Sequence, residues 1–313
     1  MKKIAKRDFI SIVDAGKSLP LLLNSAARLK NDLSIDGGHL KSKPLKNRQI
    51  AMIFEKSSTR TRVSFEVAIN HLGGDSLYLN PNDIHLGRGE TIGDTGRVLS
   101  RYVDGIVYRA FDNGMVKELA AKSDVPVINA LDDVEHPVQA LADLLTIRER
   151  FGRLKGLRLT YVGDGNNVCN SLMLASAMSG IHFAAATPKQ HEPPQRISEY
   201  AASIATGTGA RIEIVNDPEA AARRANVIYT DVWVSMGQEA EREEKEKAFG
   251  PYQLNSRLLK LADRKAIVMH CLPAHRGLEI TDEVMDGNQS VVFDQAENRL
   301  HTEKALLLWL IRR

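Results

Sequence analysis

Short runs of strand-forming residues alternate with stretches of helical spacing from Asn47 onward. The runs predict strands at Gln49–Phe54, Ser76–Leu79, Gly105–Tyr108, Pro126–Asn129, Arg158–Val162, His182–Ala186, Arg211–Val215, Val227–Asp231 and Lys265–His270. Helical spacing follows the first four runs at Arg62–Leu72, Thr95–Tyr102, Met115–Ala121 and Val138–Arg150. This alternation predicts an α/β fold with doubly wound parallel sheets, covered by helices on both faces.

The length of 313 residues suits two domains of roughly 150 residues each. Glycines and charges interrupt the alternation at Phe151–Gly156, so we expect a first domain at residues 1–150 and a second at 151–299. The tail Glu303–Arg313 has an apolar face and predicts a helix. We expect this helix, at about residues 300–313, to pack back on the first domain.

The composition excludes several classes of protein. With 43% hydrophobic and 26% charged residues, the chain is globular, and its net charge of +3 argues against a nucleic-acid-binding protein or a polybasic membrane anchor. The first residues lack the apolar segment of a signal peptide, and the run Ala305–Ile311 is too short to cross a membrane. Two cysteines suit a reducing compartment, so we expect a cytoplasmic protein.

The exit of the first strand carries a dense group of hydrogen-bond donors. Ser58, Thr59, Arg60, Thr61 and Arg62 follow the strand and lead into a helix. In parallel α/β sheets, ligands bind at the carboxyl ends of strands, where helix N-termini attract anions. The hydroxyls and the two arginines therefore predict a phosphate site. The alternative is an ordinary capped helix with solvated arginines.

Two further exits in the first half carry polar side chains. Arg109 ends a strand, where it could bind an anion or form a surface ion pair. His136 and Gln139 are three residues apart at a helix start that Pro137 favours, so they lie on one side of it. A histidine can donate to a carbonyl oxygen and a glutamine oxygen can accept from an NH2 group. The alternative is a capping histidine with a solvated glutamine.

The second half offers a glycine-containing turn, Gly163–Val168, after a strand. It lacks the third glycine of a dinucleotide site, and the next strand exit has no acidic residue for a ribose. Its asparagine pair could instead bind an amino-acid headgroup. Asp231, at another exit, suits an ammonium group or a helix cap, and the charged run Glu239–Lys247 predicts a solvated helix.

The last strand leads into His270-Cys271-Leu272-Pro273, with His275 nearby. A thiol with two histidines suggests zinc, but no second Cys/His pair stands at finger spacing, so we expect no metal. A cysteine nucleophile remains open on these residues alone.

These motifs together resemble the aspartate/ornithine carbamoyltransferase family. Ser58-Thr59-Arg60-Thr61-Arg62 with Ser64-Phe65-Glu66 resembles its carbamoyl-phosphate signature, and the resemblance extends from Phe9 to about Leu308. It includes the His-Pro-x-Gln motif at His136. The resemblance implies a two-domain α/β fold with the active site in the cleft between the domains, transfer of a carbamoyl group from carbamoyl phosphate to an amine, and no cofactor.

The resemblance also implies roles for individual residues. The implied carbamoyl-phosphate contacts are Ser58, Thr59, Arg60, Thr61, His85, Arg109, His136, Gln139, Cys271, Leu272 and Arg299. The implied amino-acid contacts are Asn167, Asp231, Ser235 and Met236. Those expected to act in catalysis are Arg60, Arg109, His136, Gln139, Asp231 and Cys271, with the thiol beside the attacking amine and no covalent intermediate.

The loop Asn82–Glu90 resembles the family loop that reaches a neighbouring subunit's site, with His85 as its contact. This implies a homotrimer or a multiple of trimers. The alternative is that His85 is an exposed loop histidine that contacts no neighbouring site.

The segments Asp231–Gly237 and His270–Pro273 resemble the ornithine-using branch. They imply that the δ-amine of L-ornithine is the acceptor, giving L-citrulline and phosphate, in arginine synthesis or arginine breakdown. The alternatives are another amine, namely putrescine, an acylated ornithine or aspartate, or an α/β ligand-binding protein without catalysis.

Overall fold

The computed structural model describes residues 6–36, 42–80, 89–234 and 239–311. The strands in these residues are β1 (Gln49–Phe54), β2 (Asp75–Leu79), β3 (Gly105–Arg109), β4 (Val127–Leu131), β5 (Arg158–Val162), β6 (His182–Ala186), β7 (Ile212–Val215), β8 (Val227–Thr230) and β9 (Ile267–His270). The α-helices are α1 (Leu19–Asp36), α2 (Thr59–His71), α3 (Ile92–Leu99), α4 (Asn113–Lys122), α5 (Pro137–Phe151), α6 (Asn167–Ser179), α7 (Gln195–Thr208), α8 (Pro218–Ala222), α9 (Arg242–Phe249), α10 (Ser256–Leu259), α11 (Asp282–Met285) and α12 (Val292–Ile311). Ile12–Ser18, Glu239–Glu241 and Gly250–Tyr252 form 3-10 helices.

The strands form two parallel sheets, as the alternation of strands and helices predicts. The first sheet has four strands in the order β2-β1-β3-β4, and the second has five in the order β7-β6-β5-β8-β9. Every pairing between these strands is parallel. The predicted doubly wound α/β fold is therefore confirmed.

Each sheet has a point where the strand order reverses, and the polar loops leave the sheets there. In the first sheet this point lies between β1 and β3, and in the second between β5 and β8. Phe54 pairs with Arg109, and Val162 pairs with Thr230, which pairs in turn with His270. Because the last residues of these parallel strands are paired with each other, the loops that follow them begin side by side at the carboxyl edge of their sheet. Ligands of open α/β sheets bind at such reversal points.

The chain divides into two compact units, each with its own apolar core. Unit 1 contains the described residues of Met1–Leu145 and Glu297–Arg313, and unit 2 is Thr146–Ala296. Buried side chains of β1, β3 and α4 form one core in unit 1, and Val162, Trp233 and Phe249 belong to another in unit 2. The division falls inside α5 and inside α12.

The C-terminal helix is longer than the sequence pattern suggests. It begins at Val292, whereas the apolar face points to a start at Glu303. Its residues from Glu297 onward belong to unit 1, and they include the buried polar residues Arg299 and Glu303. Within the described residues, no helix has both the length and the apolar character needed to span a membrane.

Candidate active site

The loop from β1 to α2 carries the residues of unit 1 that are predicted to bind phosphate. Ser58 is the N-cap of α2, and its Oγ accepts a hydrogen bond from the Thr61 backbone N–H at 3.2 Å. Thr59 is the first helical residue and is exposed, while Arg60 is half-buried and Thr61 is buried. The free N–H groups and the helix dipole at this end favour an anion.

Arg62 contacts side chains of α2 and β2, and these contacts do not support a role as a second phosphate-binding arginine. Its Nε donates to Glu66 at 2.9 Å and its guanidinium stacks 3.7 Å from the centre of the Tyr78 ring. The helix explains the difference, because two residues separated by two positions point to nearly opposite sides of it. Of the two arginines, Arg60 alone stays a predicted ligand-binding residue.

Glu55 holds this loop against the end of β3, a role that the sequence analysis does not assign. One carboxylate oxygen accepts from the Tyr108 hydroxyl at 2.6 Å and the other from the Phe111 N–H at 2.8 Å. The Glu55 N–H also donates to the Arg109 carbonyl at 2.9 Å. Glu55 therefore sets the spacing between the β1–α2 loop and Arg109, whose side chain is buried.

His136 and Gln139 lie at the start of α5 and are both buried. The His136 carbonyl accepts from the Gln139 N–H at 3.1 Å, which closes the first helical turn. Burial lowers the pKa of His136 well below its ordinary value of 6.5, and the charges of Arg299, Arg109 and Arg60 lower it further. The imidazole is therefore neutral at pH 7, and it acts as a hydrogen-bond donor rather than as a cation.

Arg299, from α12, joins α2 and α5 of unit 1. Its Nη1 donates to Gln139 Oε1 at 2.8 Å, and its Nη2 contacts Thr61 Oγ1 at 3.3 Å. Gln139 in turn donates through Nε2 to Asp143 at 2.9 Å. The predicted residues Thr61, Arg109, His136, Gln139 and Arg299 are buried, and half-buried Arg60 is close enough for its charge to act on His136, so these residues form one positively charged group.

Asp231 is the centre of the polar group in unit 2. The predicted strand Val227–Asp231 includes Asp231, but β8 ends at Thr230, so Asp231 lies in the loop that follows. One carboxylate oxygen accepts from the Cys271 thiol at 3.0 Å and the other from Asn166 Nδ2 at 2.9 Å. The carboxylate keeps further lone pairs, which can accept from an ammonium group.

Asn166 has a structural role that the sequence analysis leaves out. Its Oδ1 accepts from the backbone N–H groups of Val168 and Cys169, at 3.0 and 3.1 Å, and so caps α6. Its amide nitrogen holds Asp231. Asn167, the member of the pair predicted to bind substrate, begins α6 and is half-buried. The N-cap rule, applied to the Asn-Asn pair, would have identified Asn166.

The turn after β9 is fixed by a fully buried pair. His270 Nδ1 accepts from the Leu272 N–H at 2.9 Å, so its Nε2 carries the hydrogen and donates to Glu279 at 3.1 Å. Leu272 has φ of 61°, a left-handed conformation that is uncommon for a branched side chain. Backbone strain of this kind is concentrated at functional sites.

A metal ion would need a different arrangement at this turn. Among the described residues, Asp231, His270 and Cys271 bring ligand atoms within 4.8 Å of one another. Both ring nitrogens of His270 already have partners, in Leu272 and Glu279, so His270 cannot bind an ion without losing one of them.

The charged helix α9 is less solvated than its composition suggests. Lys245 is buried, and its ammonium donates to Asp164 Oδ2 at 2.8 Å. The expectation of a solvated helix is therefore wrong at this position, because Lys245 faces the turn after β5. His85, Ser235 and Met236, three of the predicted contacts, lie outside the described residues.

Two family models match this chain. Residues 7–149 match "Aspartate/ornithine carbamoyltransferase, carbamoyl-P binding domain", and residues 155–310 match "Aspartate/ornithine carbamoyltransferase, Asp/Orn binding domain". A protein of Thermoplasma volcanium named "Ornithine carbamoyltransferase, catabolic" is 52% identical over 308 residues, which are 98% of this chain and 99% of that protein.

Solved structures show the same fold. The ornithine carbamoyltransferase of Pyrococcus furiosus superposes with a TM-score of 0.94 at 50% identity, covering 98% of this chain and 97% of that one. The anabolic ornithine carbamoyltransferase of Campylobacter jejuni has a TM-score of 0.90 at 38% identity, covering 97% of this chain and 98% of that one. The chain therefore belongs to the aspartate/ornithine carbamoyltransferase family.

Proposed function

We propose that the chain is an ornithine carbamoyltransferase, which transfers the carbamoyl group of carbamoyl phosphate to the δ-amine of L-ornithine. The observation that carries this proposal is the positively charged group of unit 1, in which the charges of three arginines act on a buried, neutral His136 beside Gln139. The names of the relatives, at about half identity over nearly the whole chain, support ornithine as the acceptor.

The phosphate of carbamoyl phosphate binds at the N-terminus of α2 in this proposal. Backbone N–H groups there, with the hydroxyls of Ser58, Thr59 and Thr61, donate to its oxygens. Arg60 and Arg109 neutralise its charge, and guanidinium forks match the geometry of phosphate oxygens.

The carbamoyl group is held by neutral donors and acceptors. His136 donates to the carbonyl oxygen, and Arg299 contributes a charge near the same group. Gln139 Oε1 accepts from the carbamoyl NH2, since an amide oxygen can accept a second bond besides the one from Arg299. Cys271 and Leu272 stay predicted carbamoyl contacts.

The headgroup of ornithine is assigned to unit 2. Asp231 accepts from the α-ammonium group, in an orientation fixed by Asn166 and Cys271. Asn167, Ser235 and Met236 are the predicted contacts for the remaining headgroup atoms. Putrescine has no headgroup and acylated ornithine lacks the α-ammonium, so both would leave Asp231 without its ligand.

The reaction forms one C–N bond and breaks one C–O bond. The δ-nitrogen lone pair attacks the carbonyl carbon, and the carbonyl π electrons move to the oxygen that His136 contacts. The intermediate then collapses, the C–O bond to phosphate breaks, and its electrons leave with the phosphate, which gains the proton that the amine loses. Catalysis comes from positioning and from stabilising charge on oxygen.

The assembly and the location also belong to the proposal. A homotrimer, or a multiple of trimers, would let the His85 loop reach a neighbouring site, and the enzyme would work in the cytoplasm. The relatives include proteins named catabolic and anabolic, so they support either direction of arginine metabolism.

An amine panel tests the acceptor. The enzyme is incubated with carbamoyl phosphate and, separately, ornithine, putrescine, N-acetylornithine and aspartate, and the ureido product is identified by mass spectrometry. We expect citrulline, with kcat/KM for ornithine at least about a hundredfold above putrescine and N-acetylornithine, because losing an ion pair with buried Asp231 costs about 3 kcal/mol. Aspartate should also be a poor acceptor, because it has no δ-amine and carries a second carboxylate. A larger kcat/KM for another amine would contradict the proposal.

A further inference from the structure

Glu303 is a fully buried carboxylate one helical turn beyond Arg299 in α12. Its Oε1 accepts from Arg299 Nε at 3.0 Å and from Nη2 at 2.7 Å. Both partners are almost completely inaccessible, Arg299 at 4% exposure and Glu303 at 0%. Buried ion pairs of this kind add little net stability, because desolvation offsets their attraction, but they fix geometry.

The other N–H groups of Arg299 face the candidate carbamoyl-phosphate site. Nη1 donates to Gln139 Oε1 and Nη2 to Thr61 Oγ1, while Glu303 takes Nε and the second hydrogen of Nη2. Within the described residues, these contacts use four of the five guanidinium hydrogens, which leaves one on Nη1. The orientation of the guanidinium therefore decides where that remaining donor points.

The same contacts fix which end of the Gln139 amide faces the ligand. Arg299 holds its oxygen and Asp143 holds its nitrogen, at 2.8 and 2.9 Å. If Arg299 turned, the Gln139 oxygen would lose the donor that holds it. A carbamoyl NH2 needs that oxygen as its acceptor.

We propose that Glu303 is a positioning residue, which orients Arg299 and, through it, the amide of Gln139 for the carbamoyl group of carbamoyl phosphate. This inference rests on the proposed function for the identity of the ligand. The position of Glu303 in a buried turn of α12, behind Arg299, means that it acts without touching substrate.

The charge of Glu303 changes near neutral pH. Burial raises its pKa to about 7, against the opposing effects of the Arg299 charge and the Ser64 hydroxyl. Among the described residues, Arg299 on its own helix and Ser64 on α2 act on the Glu303 carboxyl, and Asp143 of α5 lies beyond Gln139. Above pH 7 the ionised carboxylate holds Arg299 strongly, and below pH 7 protonation weakens that hold.

The test compares Glu303→Gln, which keeps the shape and removes the charge, with Glu297→Gln on the same helix. Glu297 is half-exposed and contacts His301 instead of Arg299. The dissociation constant of phosphonoacetamide, a non-transferable analogue of carbamoyl phosphate, is measured by calorimetry from pH 6 to 8.5. The KM values of carbamoyl phosphate and ornithine are measured over the same range.

At pH 8.5 we expect Glu303→Gln to bind phosphonoacetamide about tenfold more weakly than the wild type, since the variant loses the charge that strengthens the hydrogen bonds to Arg299. The ratio of the two dissociation constants, variant to wild type, should approach one at pH 6, where the wild-type Glu303 carboxyl is protonated and therefore uncharged like the glutamine. The KM for carbamoyl phosphate should show the same pH-dependent difference between variant and wild type, and the KM for ornithine should show none. Glu297→Gln should match the wild type.

A ratio that stays constant from pH 6 to 8.5, or wild-type binding by Glu303→Gln, would overturn the proposal. If that variant does not fold, Glu303→Met replaces it, because apolar residues often substitute well for buried charges. Failure of the wild type to make citrulline would count against the proposed function. The binding ratio for phosphonoacetamide would still decide the role of Glu303.

Discussion

At the scale of single residues, burial and nearby charges keep the His136 ring neutral. Its ring is buried among Arg60, Arg109 and Arg299, so protonation would add a fourth positive charge. A neutral imidazole can still donate one hydrogen bond to a carbonyl oxygen. In the proposed mechanism, the positive charge that stabilises the developing oxyanion and the leaving phosphate therefore comes from arginine, which stays charged at every working pH.

The two arginines of α2 provide a matched pair for mutagenesis. Arg60→Ala should lower kcat/KM for carbamoyl phosphate by about tenfold to a hundredfold, since each charged hydrogen bond is worth about 1.5–3 kcal/mol. Arg62→Ala should stay within about twofold, because its partners are Glu66 and Tyr78. Steady-state kinetics check both, and equal losses would remove Arg60 from the site.

The thiol of Cys271 is a hydrogen-bond donor to Asp231. Cys271→Ser keeps a donor at this position, so we expect measurable turnover and no covalent adduct. Rapid quenching and intact-mass spectrometry during turnover check this. Abolished activity, together with a carbamoyl thioester trapped on the wild-type enzyme, would establish covalent catalysis instead.

Sequence motifs predict site residues better than they predict the residues that hold them. Arg60 and Gln139 were predictable as candidate site residues because their motifs are local. Glu55 was not predictable, because its partner Tyr108 lies more than fifty residues away in the chain. The capping role of Asn166 was predictable from its position before α6, but its contact with Asp231, 65 residues away, was not. Arg62 belongs to the same run of donors, but the angular spacing of a helix separates its side chain from that of Arg60.

At the scale of elements, the N-terminus of α6 tests the link between capping and substrate binding. Asn166→Ala removes both the cap and one partner of Asp231. We expect a loss of about 1 kcal/mol of folding free energy, which lowers the Tm by a few degrees, together with a higher KM for ornithine.

Asn167→Ala is the control, since it follows the cap in α6. It should raise the KM for ornithine while leaving the Tm within about a degree of the wild type. Thermal melts and kinetics at saturating carbamoyl phosphate separate the two effects. A normal KM for ornithine in Asn166→Ala would show that the Asp231 contact is dispensable.

Strands were predictable to within two residues at either end, because short apolar runs bounded by turns mark buried parallel strands. Helix α1 was missed, although Leu19, Leu22, Leu23, Ala26 and Leu29 are buried at helical spacing. The helix α9 carries many charges, yet its partner Asp164 is over eighty residues distant in the chain, so its burial at Lys245 could not be anticipated.

At the scale of the whole molecule, the order of the strands is the feature that sequence pattern did not supply. It depends on pairings such as β1 with β3 and β5 with β8, which join distant segments. Those pairings create the two reversal points. The predicted phosphate-binding residues follow β1 or, in the case of Arg109, end β3, while Asn167 and Asp231 follow β5 and β8. Each unit therefore presents its candidate residues at its own reversal point.

The reaction as a whole should depend on pH through its nucleophile. An alkyl amine has a pKa near 10, so roughly one ornithine in a thousand has a neutral δ-amine at pH 7. The pKa of His136 is lowered well below 6.5, so the ring stays neutral across this range. We expect kcat/KM for ornithine to rise up to about tenfold per pH unit from pH 6.5 to 8.5. A flat profile would contradict attack by the neutral amine.

Direct observation of the bond between the carbamoyl carbon and the δ-nitrogen tests whether this enzyme transfers the carbamoyl group to ornithine. The enzyme is incubated with carbamoyl phosphate labelled with carbon-13 and ornithine labelled with nitrogen-15 at the δ position, and the product is examined by NMR. We predict a ureido carbon with a one-bond coupling to the δ-nitrogen, appearing as phosphate is released. Release of phosphate without that coupling, or coupling to another nitrogen, would contradict carbamoyl transfer to the δ-amine of ornithine.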